Sequence, residues 1–344
     1  MNRVTQTDIA KRAGVTHATV SMALNNSPRI SEATRTRIQA LAQEMGYQPN
    51  AMATALALSK SRNEGDVPKQ ASLALLSGHS DLNYINVHQR YIDIFKGARE
   101  AAARHGFGVE HFWIFEKGMT TARLHQILQT RNIQGIMLLL SFMPKEKQLP
   151  WNDYSVVNID TFASRNFNAV DFNLIQAAQM MVTRAINLGY KRIGIFSSLS
   201  HYIMHGGIMQ KTLAFACEQN GLEYIQPLLV RTKFDSDQQY DDFENWLRSN
   251  RLDLVMTIGK PEVIYYLTAM GYSVPRDVGL MAMDVSHFPS HIAGCRIPWN
   301  HVGRLAARNL IGQIYRNESG IPSYRSSTML LPEWHQGDSV RKQD

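Results

Sequence analysis

Apolar positions change their period at about residue 70 of this chain. Before that point they recur at i, i+3, i+4 and i+7, the spacing that gives an α-helix one apolar stripe. Ile9, Ala10 and Ala13 form one such set, Val20, Ala23 and Leu24 a second, and Ile38, Leu41, Ala42 and Met45 a third. Beyond it they gather in short runs rich in branched residues: SLALLSG, GVEHFWIF, GIMLLLS, YSVVNID, RIGIFSS, PLLVRTK, LDLVMTIG and VGLMAMD. Helical patterns lie between them at 91–105, 121–129, 174–188, 209–220, 240–249 and 262–270. Strands buried on both faces by crossover helices read this way, so this part predicts two parallel, doubly wound sheets in series. Ligands in such sheets bind beyond the carboxyl ends of the strands, which places a cleft between the two.

The first part carries its own punctuation. Gly14-Val15-Thr16 is a tight corner between two short helices, Thr5 with Asp8 is a capping-box pattern, and Thr16 stands at the second N-cap. Ser31 opens a third helix and Gly46 closes it. Two helices meeting at a corner under an apolar lid predict an all-α helix-turn-helix, whose second helix can lie in a DNA major groove. His17, Ala18, Ser21 and Met22 share the face away from Val20 and Leu24 and are the candidates for reading bases. Thr5, Thr16, Asn25, Ser31 and Thr34 complete the expected contacts to DNA. Lys11, Arg12, Arg29, Arg35 and Arg37 outnumber Asp8, Glu32 and Glu44, a balance suited to phosphate. A solvated helical surface carries the same charges.

VTQTDIAKRAGVTHATVSMALN, followed by SEATRTRIQALAQEMGYQPNAMATAL, resembles the headpiece of the lactose-repressor (LacI-type) family of bacterial transcription regulators. A general helix-turn-helix would lack the Gly-Tyr-x-Pro-Asn-Ala joint at 46–51. The resemblance implies a hinge helix at 50–58 that folds on DNA and pairs with its dimer mate; off DNA so short a helix is marginal. By position Leu56 is the wedge pushed into the minor groove, Ala53 supports it and Asn50 holds the backbone, with an ordinary core role as the other reading of Leu56. Met22 departs from the family, which commonly has arginine there to read guanine; methionine offers apolar contact, so the half-site is expected to differ. The stretch 59–70, SKSRNEGDVPKQ, is linker in composition and longer than the family's usual joint.

The remainder resembles the same family's effector domain, two lobes of the periplasmic-binding-protein type, through AINLGYKRIGIF, GYSVPRDVGLMAMD and IPWNHVGRLAARNLIGQI. The implied domains are 1–58, the linker, and an effector-binding and dimerisation domain at 71–338. Its first lobe is expected at about 71–188 and 299–321 and its second at about 189–298 and 322–338. That puts the chain crossings near Gly189, at 295–299 and near Ile321. By position the effector is held by Asp171 and Asn173, Lys211, Asp284 and Trp299, with Lys211 standing where arginine is usual. Carboxylates suit paired sugar hydroxyls, and a flat ring suits the apolar face of a pyranose or purine. Asp284 as a loop cap and Trp299 as packing between the lobes remain open as alternatives.

Composition narrows the class. At 344 residues, 44% apolar and 19% charged, the chain is globular, and its net charge of +7 fits a polyanion partner. Cys217 and Cys295 are far apart without CxxC spacing, so neither a disulfide framework nor a zinc site is expected. The pairs His201 and His205, and His287 and His291, lack the HExxH glutamate, and no metal is expected. Without a Walker loop, GxGxxG or GxSxG, neither an enzyme nor a cofactor is expected. No apolar stretch suits secretion or a membrane span, which predicts a cytoplasmic protein. The tail after Leu331 has no leucine heptad, so a homodimer on palindromic operator DNA is expected. The predicted function is a repressor switched by a small-molecule effector, a sugar or derivative; a solute-binding protein of a transport system is the alternative.

Overall fold

The computed structural model describes residues 4–24, 29–45, 47, 71–78, 82–139, 148–159, 166–204, 206–230, 237–260 and 262–343. Asn25, Gly46, the hinge residues Asn50, Ala53 and Leu56, and the linker lie outside them.

Three helices form the headpiece: α1 (Gln6–Ala13), α2 (His17–Leu24) and α3 (Glu32–Glu44). They enclose Ile9, Ala10, Val20, Ala23, Ile38 and Ala42, with Leu41, Met45 and Tyr47 among the side chains packed around them. The corner works because Gly14 takes φ 67°, a left-handed value that glycine adopts without Cβ strain, and its N–H closes α1 on the Ala10 carbonyl. Side chains of the lid helix tie down the other two: Gln39 Nε2 donates to Ala23 O at 3.1 Å and Arg37 Nη2 to Ala13 O at 3.4 Å.

Beyond the linker come two six-stranded sheets. The first contains β1 (Ser72–Ser77), β2 (Gly108–Trp113), β3 (Gly135–Leu139), β4 (Ser155–Ile159), β5 (Asn168–Phe172) and, from near the end of the chain, β11 (Ser327–Leu330). The second contains β6 (Ile193–Ser198), β7 (Leu228–Val230), β8 (Leu254–Ile258), β9 (Gly279–Ala282), β10 (Ala293–Arg296) and β12 (Glu333–His335). Their orders are β11-β5-β4-β3-β1-β2 and β12-β10-β9-β8-β6-β7, all neighbours parallel except β10 and β12. In chain order the covering helices are α4 (Leu82–Val87), α5 (Gln89–Arg104), α6 (Thr121–Thr130), α7 (Leu174–Asn187), α8 (Leu199–Met204), α9 (Ile208–Asn220), α10 (Asp237–Ser249), α11 (Val263–Ala269) and α12 (Trp299–Arg316). The expected fold class, a helical headpiece joined to two doubly wound parallel-sheet lobes, is what the structure has. No helix among the described residues is long and apolar enough to cross a membrane.

Two of the expected crossings move. Helix α7 packs on α9 and β10, so the first passage falls at Asn173, directly after β5, and not near Gly189. Strand β11 pairs with β5 in the first sheet, and Asn173 N donates to Leu330 O at 2.7 Å. The last passage is therefore at 331–332, beyond Ile321, and the middle one at 297–298. Each leaves from the carboxyl end of a strand, so these ends of the two sheets face one another across the seam. The tail then returns to the second lobe, where buried Ser339 donates to Leu280 O at 2.6 Å and accepts from Ala293 N at 2.8 Å.

One buried apolar cluster runs from the first sheet through Phe172, Trp299 and Ile297 into the second. Beside it α12 lies so close to α5 that a Cβ on Gly303 would collide with the Ile94 carbonyl, and one on Gly97 with that of Asn300. Gly303→Ala is accordingly expected to cost about 1–3 kcal/mol in urea unfolding, since neither backbone can retreat without moving a helix. Cys217 and Cys295 are buried, and desolvation, with the Asp284 carboxylate adding to it, pushes the Cys295 thiol up to about 12. Both are expected to escape iodoacetamide in the native protein and to alkylate in urea, as read by mass spectrometry.

Candidate DNA-binding and effector sites

On the headpiece, the helix N-caps and one face of α2 are exposed. Thr5 and Asp8 cap each other reciprocally: Thr5 N donates to Asp8 Oδ2 at 2.9 Å and Asp8 N to Thr5 Oγ1 at 3.3 Å. The Thr5 donors hold the Asp8 carboxyl below its ordinary value. Thr19 N donates to Thr16 Oγ1 at 3.1 Å, and Thr34 N to Ser31 Oγ at 3.4 Å, while the hydroxyls of Ser31 and Thr34 stand 2.8 Å apart. Thr5, Thr16 and Ser31 are thus exposed N-caps, each beside backbone N–H groups at the positive end of a helix. His17 and Ala18 are exposed on α2, Ser21 and Met22 partly so, and Val20 and Ala23 are buried behind them. Two cations counted toward phosphate are used internally: Arg12 lies 3.3 Å from Glu44, and Arg37 holds the Ala13 carbonyl.

At the seam between the lobes the centre is Trp299, the first residue of α12 and 3% exposed. Its Nε1 donates to Asp284 Oδ2 at 2.7 Å. The other carboxylate oxygen accepts from Ser286 N at 3.0 Å and Ser286 Oγ at 2.5 Å, capping the 3-10 turn Val285–His287 that follows β9. Phe172, at the end of β5, meets the indole edge-on with centroids 5.6 Å apart. Over the ring, 4.2 Å from its centroid, lies the guanidinium of Arg90, the second residue of α5.

Of the residues expected to hold an effector, the structure joins Asp284 and Trp299 directly, in capping and packing roles. The indole face offered for a sugar ring is covered by Arg90, and burial leaves the ring little other surface. Asp171 is 3% exposed beside Phe172 and accepts from its N–H at 2.7 Å. Asn173 caps α7, accepting from Gln176 N at 3.0 Å. Lys211 stands on the exposed side of α9, whose buried side is Met209, Gln210, Leu213 and Cys217.

Two residues escaped the sequence reading, and a third, His201, entered it only as one of a histidine pair weighed for metal. Arg90, in HQRY ahead of the α5 pattern, passes for a surface charge. Gln210 is 5% exposed in the first turn of α9, and its Nε2 has no hydrogen-bond acceptor. His201 packs over Gly259, which takes φ 63° just beyond β8 and where a Cβ would strike the imidazole. A glycine directly after the strand run LDLVMTI was the available signal for that close approach.

Residues 5–50 match the model of the bacterial regulatory proteins of the lacI family, and residues 182–340 match the periplasmic binding protein-like domain. The chain is 26% identical to the probable HTH-type transcriptional repressor ExuR of Bacillus subtilis (strain 168), over 98% of this chain and 99% of the relative. It is 23% identical to catabolite control protein A of Priestia megaterium over 96% of both. Among solved structures, the transcriptional regulator CelR–cellobiose complex superposes with a TM-score of 0.58 at 20% identity, covering 98% of this chain and 100% of the other. The lac repressor dimer bound to operator and the anti-inducer ONPF gives 0.57 at 15%, covering 99% and 100%; both likenesses are of fold. A lacI-family headpiece followed by a periplasmic-binding-protein-like domain, in a chain that aligns along nearly its whole length with repressors, makes this protein a member of the lacI family of bacterial regulatory proteins.

Proposed function

We propose that the protein is a homodimeric, cytoplasmic transcriptional repressor that binds palindromic operator DNA and is switched by a small molecule, a sugar or sugar derivative, held between the lobes. The observation that carries this reading is α2, whose capped start and exposed His17 and Ala18 stand on a closed three-helix core. That geometry suits insertion into a major groove. The relatives named as repressors support the same reading, and the alternative, a solute-binding protein of a transport system, gives the headpiece no role.

Switching requires that ligand binding change how the lobes sit. They touch where α5 of the first meets the Val285–His287 turn of the second, beside the Asp284–Trp299 bond. A ligand that alters this contact biases rigid-body closure of the lobes. A coupling of about 1–3 kcal/mol between effector and operator is sufficient for a useful switch.

Selection from random DNA by the purified protein is expected to return a palindrome, and a collection of unrelated sequences would refute sequence-specific repression. Met22→Arg is expected to move half-site preference toward guanine; an unchanged consensus would mean that position 22 does not face bases. Leu56→Ala is expected to weaken operator binding about tenfold or more at constant thermal stability, through loss of the minor-groove wedge. Asp284→Ala frees the indole N–H and uncaps the turn, so it is expected to cost about 1–3 kcal/mol in urea unfolding and to abolish the effector response. Operator affinity without effector is expected to stay at the wild-type value in this variant, as measured by fluorescence anisotropy.

A further inference from the structure

Helix α2 lacks the side chains that pair most selectively with base edges. Its eight residues, HATVSMAL, include no arginine or lysine to grip guanine, no asparagine or glutamine to pair with adenine, and no carboxylate to accept from cytosine. His17 and Ser21 stand at i and i+4, and so do Ala18 and Met22, so the outward face is one polar row beside one apolar row. Positive charge is carried by other helices, with Lys11 on α1 and Arg35 on α3. Phosphate contacts from such residues position a protein on DNA without reading sequence.

The polar row recognises bases without telling them apart. An imidazole N–H donates to N7, which adenine and guanine both carry, and a serine hydroxyl donates or accepts. The apolar row does discriminate, because the C5-methyl of thymine is the apolar group that base edges present in the major groove. Met22 is placed for that contact. It is partly exposed, and among the described residues it is not one of the side chains packed around the headpiece core, whereas Leu24 is. Its unbranched thioether has the reach and rotational freedom to close on a methyl group. Ala18, exposed one turn nearer the start of α2, adds a shorter apolar contact. The rise between the two is about 6 Å, close to two base steps of about 3.4 Å.

We propose that α2 selects its operator half-site through thymine methyl groups packed against Met22 and Ala18, with His17 marking a neighbouring purine at N7. This deepens the reading of the protein as an operator-binding repressor and rests on it.

The test uses the full-length protein and the DNA it selects from a random pool. Each thymine of the selected half-site is replaced in turn, in both halves, by deoxyuridine, which removes the methyl group and keeps every hydrogen-bonding atom. At the thymines beneath α2 this is expected to weaken binding about tenfold, each lost methyl being worth roughly fourfold. At the same positions deoxycytidine is expected to bind worse than 5-methyldeoxycytidine, which restores the methyl group. Met22→Ala is expected to bind more weakly and to lose the deoxyuridine effect at one of these positions. Met22→Leu, which keeps an apolar side chain, is expected to retain it. Both variants are expected to melt as the wild type does, because Met22 lies outside the headpiece core. A selected palindrome that binds equally well with every thymine replaced overturns the proposal and leaves the repressor reading intact. A deoxyuridine effect that Met22→Ala leaves unchanged at every position overturns it in the same way. DNA binding without sequence preference removes the repressor reading itself, and the proposal with it.

Discussion

The two-lobed domain depends on how α12 begins. Its first residue, Trp299, is buried at the seam and bonded to Asp284 of the second lobe, while the body of the helix lies against α5 and the first sheet. One rigid element therefore reports the position of one lobe to the other. Gly97 and Gly303 make this possible, because without side chains there the two helices approach to backbone contact. Tight packing of this kind has few intermediate arrangements, which favours a seam that moves between discrete states over one that deforms gradually.

The headpiece obeys a different economy. Its core is small, and each helix is too short to be stable in isolation. Caps at Thr5, Thr16 and Ser31, and the side-chain bonds from Gln39 and Arg37 to carbonyls, fix the helix starts and the corner. Several residues that fix the helix starts are thus also exposed.

Much of this architecture was legible in the sequence because burial writes a period into it. Leu73–Leu76 and Leu254–Ile258 are buried on both faces and read as continuous apolar runs. Strand β11 has no such run, since Ser327, Thr328 and Met329 are exposed at the sheet edge, and so the last crossing was placed too early. Asp171 interrupts the apolar pattern of β5, which is not among the strand runs read from the sequence, while α7 carries an apolar face without saying which sheet it covers. At the seam, sequence left two uses open for Asp284 and Trp299, and the structure has them as the cap of the following turn and as packing between the lobes. A tryptophan at a crossing looks like a platform for a ring, and only the fold brings Arg90, far away along the chain, onto its face. Lys211 stands on the exposed side of α9, since helical phase, and not proximity in sequence, decides which way a side chain points.

The late return of β11 to the first sheet also bears on how the protein is made. A headpiece built from the first few dozen residues has all its contacts as soon as it leaves the ribosome. Neither lobe does: β11 joins the edge of a sheet whose other strands were synthesised long before, and β12 with the Ser339 bonds closes the second lobe only afterwards. Synthesis from the N-terminus thus yields a finished helix-turn-helix headpiece well before the two-lobed domain, and a nascent chain stalled before β11 would carry a folded headpiece with neither lobe complete.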